Sequence, residues 1–386
     1  MKVKKIALGV TIVLIVLFVL AVLAVLGFNI YDSIAYGDFY DIANEEFYIP
    51  GLMDGYVPQG FDYVKEEKVF IACGYMSNDE ASRVYVISED GDEFYYTELM
   101  KKNGDPYTGH TGGIAYWGNY AYITGSDGID VFYLSDLLDE DVKEAANIGT
   151  IYTSSPRDCE RCGDVSCDEH KGNLDIDPAF CFVYGGYLYT GEFHRDEDYQ
   201  TPSQHHIKTP SGETNKALMV AYALVENPSN TSNNKYGVYG QFDKESFGVM
   251  PTPDCAFSMP SFVQGVCVAK YEKLVDGKMQ EVEKLVLSTS WGLSTSNIYF
   301  HDLDEVLGIT TTNETLTSTY GVTVPLYYVC EETLEKTVEA PPMSEEIAYL
   351  DGKLWIMNES ACNKYIFGKL TTGNYLYSVE YPKKVK

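Results

Sequence analysis

The sequence predicts an all-β fold, a β-propeller of five blades, preceded by one N-terminal transmembrane helix. Three observations lead there. Five stretches of the chain repeat one order of signals: a lead-in with an apolar strand, a tight turn, a second strand, a polar break and a further strand. Short-strand repeats at intervals of roughly 50–85 residues point to a propeller. Helical signals are few beyond the N-terminus, while 33 tyrosines and 33 glycines suit many strands and turns. Residues 6–28 carry no charge, and at ~1.5 Å per residue such a helix reaches ~34 Å, enough to cross a bilayer core.

In chain order, Lys2, Lys4 and Lys5 precede the apolar run. That bias places the N-terminus in the cytoplasm and everything after the span outside. No small-residue cleavage motif closes the run, so residues 1–28 read as a cytoplasmic stub and uncleaved signal-anchor in the cell membrane. Residues 29–48 read as an acidic connector (Asp32, Asp38, Asp41, Glu45, Glu46), and 49–386 as one extracytoplasmic propeller without a composition break. The repeats occupy 58–87, 110–134, 177–224, 259–300 and 343–367. The last is the clearest. Asp351-Gly352 joins a strand with Ile347 and Tyr349 to one running Leu354-Trp355-Ile356-Met357, the strongest short-range hairpin signal. A polar break at 358–360 then leads to an expected third strand at 365–367. Strand-like sequence at 236–247 is assigned to the outer part of the third blade and leaves room for a sixth. Pairing residues around 46–57 with the final blade would close the ring and protect its edges. The one further helical signal is 136–146. Polar insertions at 153–175, 195–215 and 227–234 read as surface loops.

The net charge of −29 argues against nucleic acid, whose phosphates would be repelled. It suits a soluble exposed domain and would attract cations. No G-x-S-x-G elbow, Walker loop, dinucleotide fingerprint or H-E-x-x-H is present. Acidic stretches at 88–93 and 126–128 lack calcium-loop spacing.

Two constellations could carry chemistry. Cys159, Cys162, Cys167 and His170 follow the spacing C-x2-C-x4-C-x2-H, four soft ligands that could enclose one zinc. The competing reading is a disulfide, since cysteines outside the cytoplasm tend to pair. Nine cysteines leave one over in that case. Cys73, Cys181 and Cys267 fall inside strands and read as small buried hydrophobes. The second constellation comes from the repeat. Equivalent positions of a propeller converge on its axis. Gln59, Gly112, Ala179, Gln264 and Glu345 precede the first strands. Gly74, Ser126, Glu192, Ser290 and Glu359 end the second ones, with His110, His194, Trp291 and Asn358 adjacent. Gln59, His110, Glu192, His194, Gln264, Ser290, Glu345 and Glu359 are therefore expected to form a polar channel mouth. It could bind a divalent cation or a small polar ligand, or host acid/base chemistry. The plainer alternative is that these groups satisfy turns and channel water.

The lead-ins PQGFDYV, HTGGIAYW and MSEEIAYL, with the strands that follow, resemble blades of secreted bacterial β-propellers. That resemblance implies a fold shared by sugar-lactone hydrolases, streptogramin-type lyases and pure binding modules. No catalytic motif of theirs matches residue by residue. Two functions follow as expectations. One is a membrane-anchored binding module for an extracellular polar ligand, glycan or protein. The other is a metal-assisted hydrolase or lyase working through His110, Glu192, His194 and Glu359.

Overall fold

The computed structural model describes residues 2–126, 128–153, 174–225, 247–250, 252–275, 278–309, 314–317, 323–365, 367–371 and 373–381. The chain starts with helix α1 (Lys2–Ala35), of which Gly9–Ala35 has mean hydropathy 3.2 and could cross a membrane. Helical hydrogen bonds continue through Tyr36 into α2 (Gly37–Tyr40): Tyr36 N donates to Asp32 O and Tyr40 N to Tyr36 O. The first part of the stretch read as a connector is therefore helical. Tyr36 and Phe39 are buried with side chains of the fourth and fifth blades; the Phe39 ring meets Tyr377 edge-on at 5.6 Å.

Strand β1 (Ala43–Tyr48) then pairs antiparallel with Tyr375–Val379, from Ala43 opposite Val379 to Tyr48 opposite Tyr375. This is the expected closure, placed a few residues earlier. It lets the N-terminal strand complete the last blade, so that neither edge is left for a stray partner. Phe47 points inward from β1, its ring centroid 5.2 Å from that of Phe70 in the first blade.

Five blades follow, each an antiparallel meander. Their inner strands are Tyr56–Val64, Ile114–Trp117, Phe180–Tyr184, Val263–Val275 and Ser344–Leu350, one from each sequence repeat. Among the described residues, two-residue turns follow the inner strands of blades two, three and five. At Asp351 and Gly352 φ is 48° and 80°, both left-handed, as the turn that matches strand twist requires. Apolar side chains fill the seams between blades; Phe47, Phe61, Phe70, Met357 and Leu376 form the seam of blades five and one.

Three local expectations differ. The third strand of blade five is Tyr375–Val379. Tyr365 and Phe367 lie in a loop, and Phe367 is exposed; a run of three apolar residues is too short to fix a strand. Residues 136–146 hold the end of a short helix (Leu134–Leu138) and then a strand, Glu144–Ala146, parallel to the edge of blade one. Among the described residues the third blade takes its fourth strand from Cys255–Met259 and no sixth blade occurs; 236–246 lie outside them.

A meander sorts its loops. Turns between first and second strands, and between third and fourth, leave one face of the disc, called here the hairpin face. Second-to-third connections and blade-to-blade crossings leave the other, the mouth face. The mouth face carries the loops at 49–55, 192–216, 290–295 and 359–374.

Candidate functional site

The inner strands of blades one, four and five each break register at one offset: between Pro58 and Gly60, Val263 and Gly265, and Ser344 and Ile347. A bulge re-aims the extra residue, and the extra residues are Gln59, Gln264 and the pair Glu345-Glu346. Gln59 Nε2 donates to Glu359 Oε2 at 2.9 Å, and Gln264 Nε2 to Glu345 Oε1 at 3.4 Å. Burial pushes the Glu345 carboxyl well up, and the carboxylates of Glu359 and Glu346 push it further. Glu359 is pushed up to about 7 by burial, against the Gln59 and Tyr365 hydrogen bonds and the Lys364 charge.

Below them sits a residue the repeat comparison passed over. Glu346 stands at the offset where blades one, two and four carry Gly60, Gly113 and Gly265. A Cβ on Gly60 would overlap Glu346 Oε2, one on Gly113 would press on blade-three backbone and Glu346 Oε1, and one on Gly265 would overlap the Glu346 backbone, so these glycines let Glu346 and its strand pack close to the neighbouring inner strands. Glu346 Oε2 accepts from Phe61 N at 2.8 Å and Ile114 N at 3.1 Å, the inner strands of blades one and two. The Cys181 amide of blade three also favours its ionised form, although Oε1 has no fully formed hydrogen bond. Burial outweighs these donors and raises the Glu346 pKa well above the usual carboxylate range. Beyond Glu346 lies a cavity of about 150 Å³ lined by Asp62, Cys181, Cys267 and Lys270 among others. There burial pushes Asp62 up to about 7, opposed by the Tyr63 and Tyr116 amides. The axis is thus filled midway by one carboxyl bonded across blades.

The other expected mouth residues have other partners. His110 is exposed on the mouth face, its ring 4.7 Å from that of Tyr75, which binds Lys364. Glu192 is buried and receives His205 Nδ1 at 2.8 Å and Leu218 N at 2.9 Å. His194 meets Thr201 Oγ1 at 2.8 Å and Asp196 Oδ1 at 3.2 Å. The insertion after the second strand of blade three supplies these partners and holds both residues within that blade. Ser290 is tied through its backbone to Phe262 O and lines a separate cavity. Gln59, Gln264, Glu345 and Glu359 are therefore the four that the contacts bring together. Cys159, Cys162, Cys167 and His170 lie outside the described residues. Cys73, Cys181 and Cys267 are buried and unpaired. Among the described residues no group of three or more His, Cys, Asp or Glu is placed to hold a metal ion.

The second cavity, about 550 Å³, opens on the mouth face between the blade-three insertion and blade four. Its wall includes Asn215, Thr289, Ser290, Trp291, Asn297 and His301. The Arg195 guanidinium lies 4.1 Å over the Trp291 ring and is held by Asp198 (2.7 Å) and Glu197 (3.1 Å). Phe193 and Tyr199 flank the same ring at 5.9 and 5.8 Å. Trp291 adjoins an expected site position, but Arg195 comes from an insertion with no counterpart in other repeats. Burial pushes His301 down to about 4, so the cavity presents a neutral imidazole.

No family model matches the chain, and no curated protein matches it. Among solved structures it is similar to BBS1N in complex with ARL6DN, at 9% identity over 87% of this chain and 67% of that one, TM-score 0.28. It is similar to the N-terminal domain of Nup159 at 8% identity, over 88% and 94%, TM-score 0.27. AztD from Citrobacter koseri gives 9% identity over 77% and 79%, TM-score 0.28. Likenesses this distant carry no argument about what the chain does.

Proposed function

We propose that this protein is a membrane-tethered, extracytoplasmic binding module that takes a polar, ring-bearing ligand such as a glycan in the cavity between blades three and four. The observation that carries the reading is the cavity itself. Its volume, about 550 Å³, falls in the range of small-ligand sites. It sets a Trp ring, fixed from one side by Arg195, among amide and hydroxyl groups, which suits a ligand with one apolar face and many hydroxyls. The lysines at the start of α1, before the apolar run, support the orientation, with the propeller outside. The hydrolase reading has less support, because Glu192 and His194 are engaged within the blade-three insertion while Glu359 bonds Gln59.

The test uses the full chain in detergent micelles against an oligosaccharide array, followed by titration of each saccharide that binds. Trp291→Ala is expected to weaken binding about tenfold or more, equivalent to ~1.4 kcal/mol, with thermal stability unchanged. Absence of saccharide binding, or equal binding by the variant, would overturn the reading.

A further inference from the structure

The helix enters the disc from one of its two faces. Tyr36 meets Thr295, in the mouth-face loop of blade four, at 3.3 Å between hydroxyls. The end of α1 also lies against Gly368–Leu370 in the mouth-face loop of blade five. Six residues later Ile42 O accepts from Glu380 N, beside Ala43 and Val379 at the hairpin side. Residues 36–42 thus descend the rim from mouth face to hairpin face. A turn at Tyr36 (φ −111°, ψ 26°) separates α1 from α2, and with residues 9–31 exposed α1 leaves the disc beside these mouth-face loops.

The spacing along that helix is short. The strongly apolar run ends at Phe28, before Asn29; residues 9–31 are exposed, and Asp32 is buried. Four residues of helix are ~6 Å. A headgroup layer is roughly 5–8 Å thick on each side of the hydrocarbon core. The protein therefore begins to cover the helix within the thickness of that layer.

Exposed apolar side chains collect on the same face. Met53, Tyr199, Phe262, Trp291, Leu293 and Phe367 all stand on mouth-face loops or crossings, with Phe367 67% and Met53 64% exposed. Lys364 and Lys369 are exposed beside them. Aromatic and apolar side chains with lysines are what the headgroup level favours. Exposed acids stand on both faces, Asp54, Asp196, Glu197 and Asp198 among them on the mouth face and Glu66, Glu67, Glu89, Asp90, Glu93 and Asp139 on the hairpin face, where Phe94, Tyr133, Met279 and Leu307 are exposed on turns of different blades.

We propose that the mouth face rests on the bilayer into which α1 inserts, with Met53, Trp291, Leu293 and Phe367 at headgroup level. The occupant of this surface is the lipid layer itself. The proposal rests on the tether in the reading above but not on the nature of the ligand. It adds that the cavity opens toward the membrane, and that its ligand is reached from the gap between propeller and lipid.

The three tryptophans provide the test. Trp291 lies on the mouth face, while Trp117 borders the Gly118-Asn119 turn on the hairpin face. Strands of six to eight residues separate the faces by roughly 20–27 Å. Two single-tryptophan full-length proteins, Trp117→Phe/Trp355→Phe and Trp291→Phe/Trp355→Phe, are placed in phosphatidylcholine nanodiscs containing headgroup-dansylated lipid. Transfer to dansyl is expected to be several-fold stronger from Trp291 than from Trp117. Equal or reversed transfer overturns the proposal. Should Trp355→Phe unfold the chain, tryptic cleavage of the unmodified protein decides. Lys364 and Lys369 should be cut several-fold more slowly in nanodiscs than in micelles, with Lys65 and Lys68 unaffected. Equal slowing at both faces overturns the proposal. A chain that never enters the nanodisc overturns the tether and this proposal together, whereas failure to bind saccharide leaves both readouts standing.

Discussion

Replacing Glu346 tests whether one carboxyl joins the blades at the axis. Glu346→Ala removes the acceptor of two amides, Phe61 N in blade one and Ile114 N in blade two. Glu346 is 2% exposed, so water does not readily replace it. A buried donor left without a partner costs about 1–3 kcal/mol, which gives about 2–6 kcal/mol for the pair. Glu346→Gln keeps a carbonyl oxygen for both amides and carries no ionisable group into a site that disfavours charge, so its cost should be about 1 kcal/mol or less. In a chain of this size 1 kcal/mol shifts Tm by roughly 2 °C. Thermal unfolding of the full chain in micelles at pH 7 should then show a fall of roughly 4–12 °C for Ala and under about 3 °C for Gln. Hydrogen exchange should speed up at both Phe61 and Ile114 in the Ala variant. A fall of less than about 1 °C for Ala, a Gln variant as unstable as Ala, or deprotection confined to one blade would refute the reasoning.

Other outcomes are expected from the same geometry. Asp62 and Glu359 both rise to about 7 in the folded chain, from 3.8 and 4.5. The native state then binds more protons than the unfolded one between those values, so stability is greatest at the acid end of the window and falls as pH rises through 7. Tm should be lower at pH 8 than at pH 5, with a shallower slope in Glu359→Gln; a Tm that climbs across that window contradicts the assignment. Phe47→Ala should cost about 3–5 kcal/mol by emptying the closing seam, read as a drop in Tm together with faster exchange in 375–379. Intact protection there would count against β1 as the clasp. Lys284 is fully buried and pairs with Asp302 at 2.5 Å and Glu335 at 2.8 Å. Lys284→Ala should cost about 3–5 kcal/mol by taking the buried lysine from Asp302 and leaving Glu335 with Lys273 alone, and the deficit should shrink in acid as the two acids protonate. A pH-independent deficit would show that packing, not charge, is what was lost.

How much of this was legible in the sequence depends on what repeats. The five blades were, because alternation and left-handed turns such as Asp351-Gly352 recur in register. Gln59, Gln264 and Glu345 were found because a shared offset in a rotational repeat means a shared radius. Glu346 was missed one position away. Its signal is Gly60, Gly113 and Gly265 facing a lone glutamate, and it appears only when that offset is compared for room rather than for polarity. Glu192 shares the offset of Glu359, but its partner His205 comes from an insertion absent in other blades, so no periodic argument could foresee the capture. The Arg195–Trp291 pair escaped for the same reason. Residues 365–367 were taken for a strand on local apolarity, whereas Tyr375–Val379 owes its place to β1, more than 320 residues earlier in the chain, a partner that no local pattern announces.

The clasp also sets a timetable. Ala43 pairs with Val379, so the first strand to be synthesised waits for nearly the last. At roughly 5–20 residues per second the interval is on the order of 15–70 s. Throughout it β1 is an unpaired edge while the sheets of the ring assemble after it. The ring can close only once Tyr375–Val379 has been made. A nascent chain arrested before Tyr375 should therefore hold a protease-sensitive β1, and the released chain a resistant one.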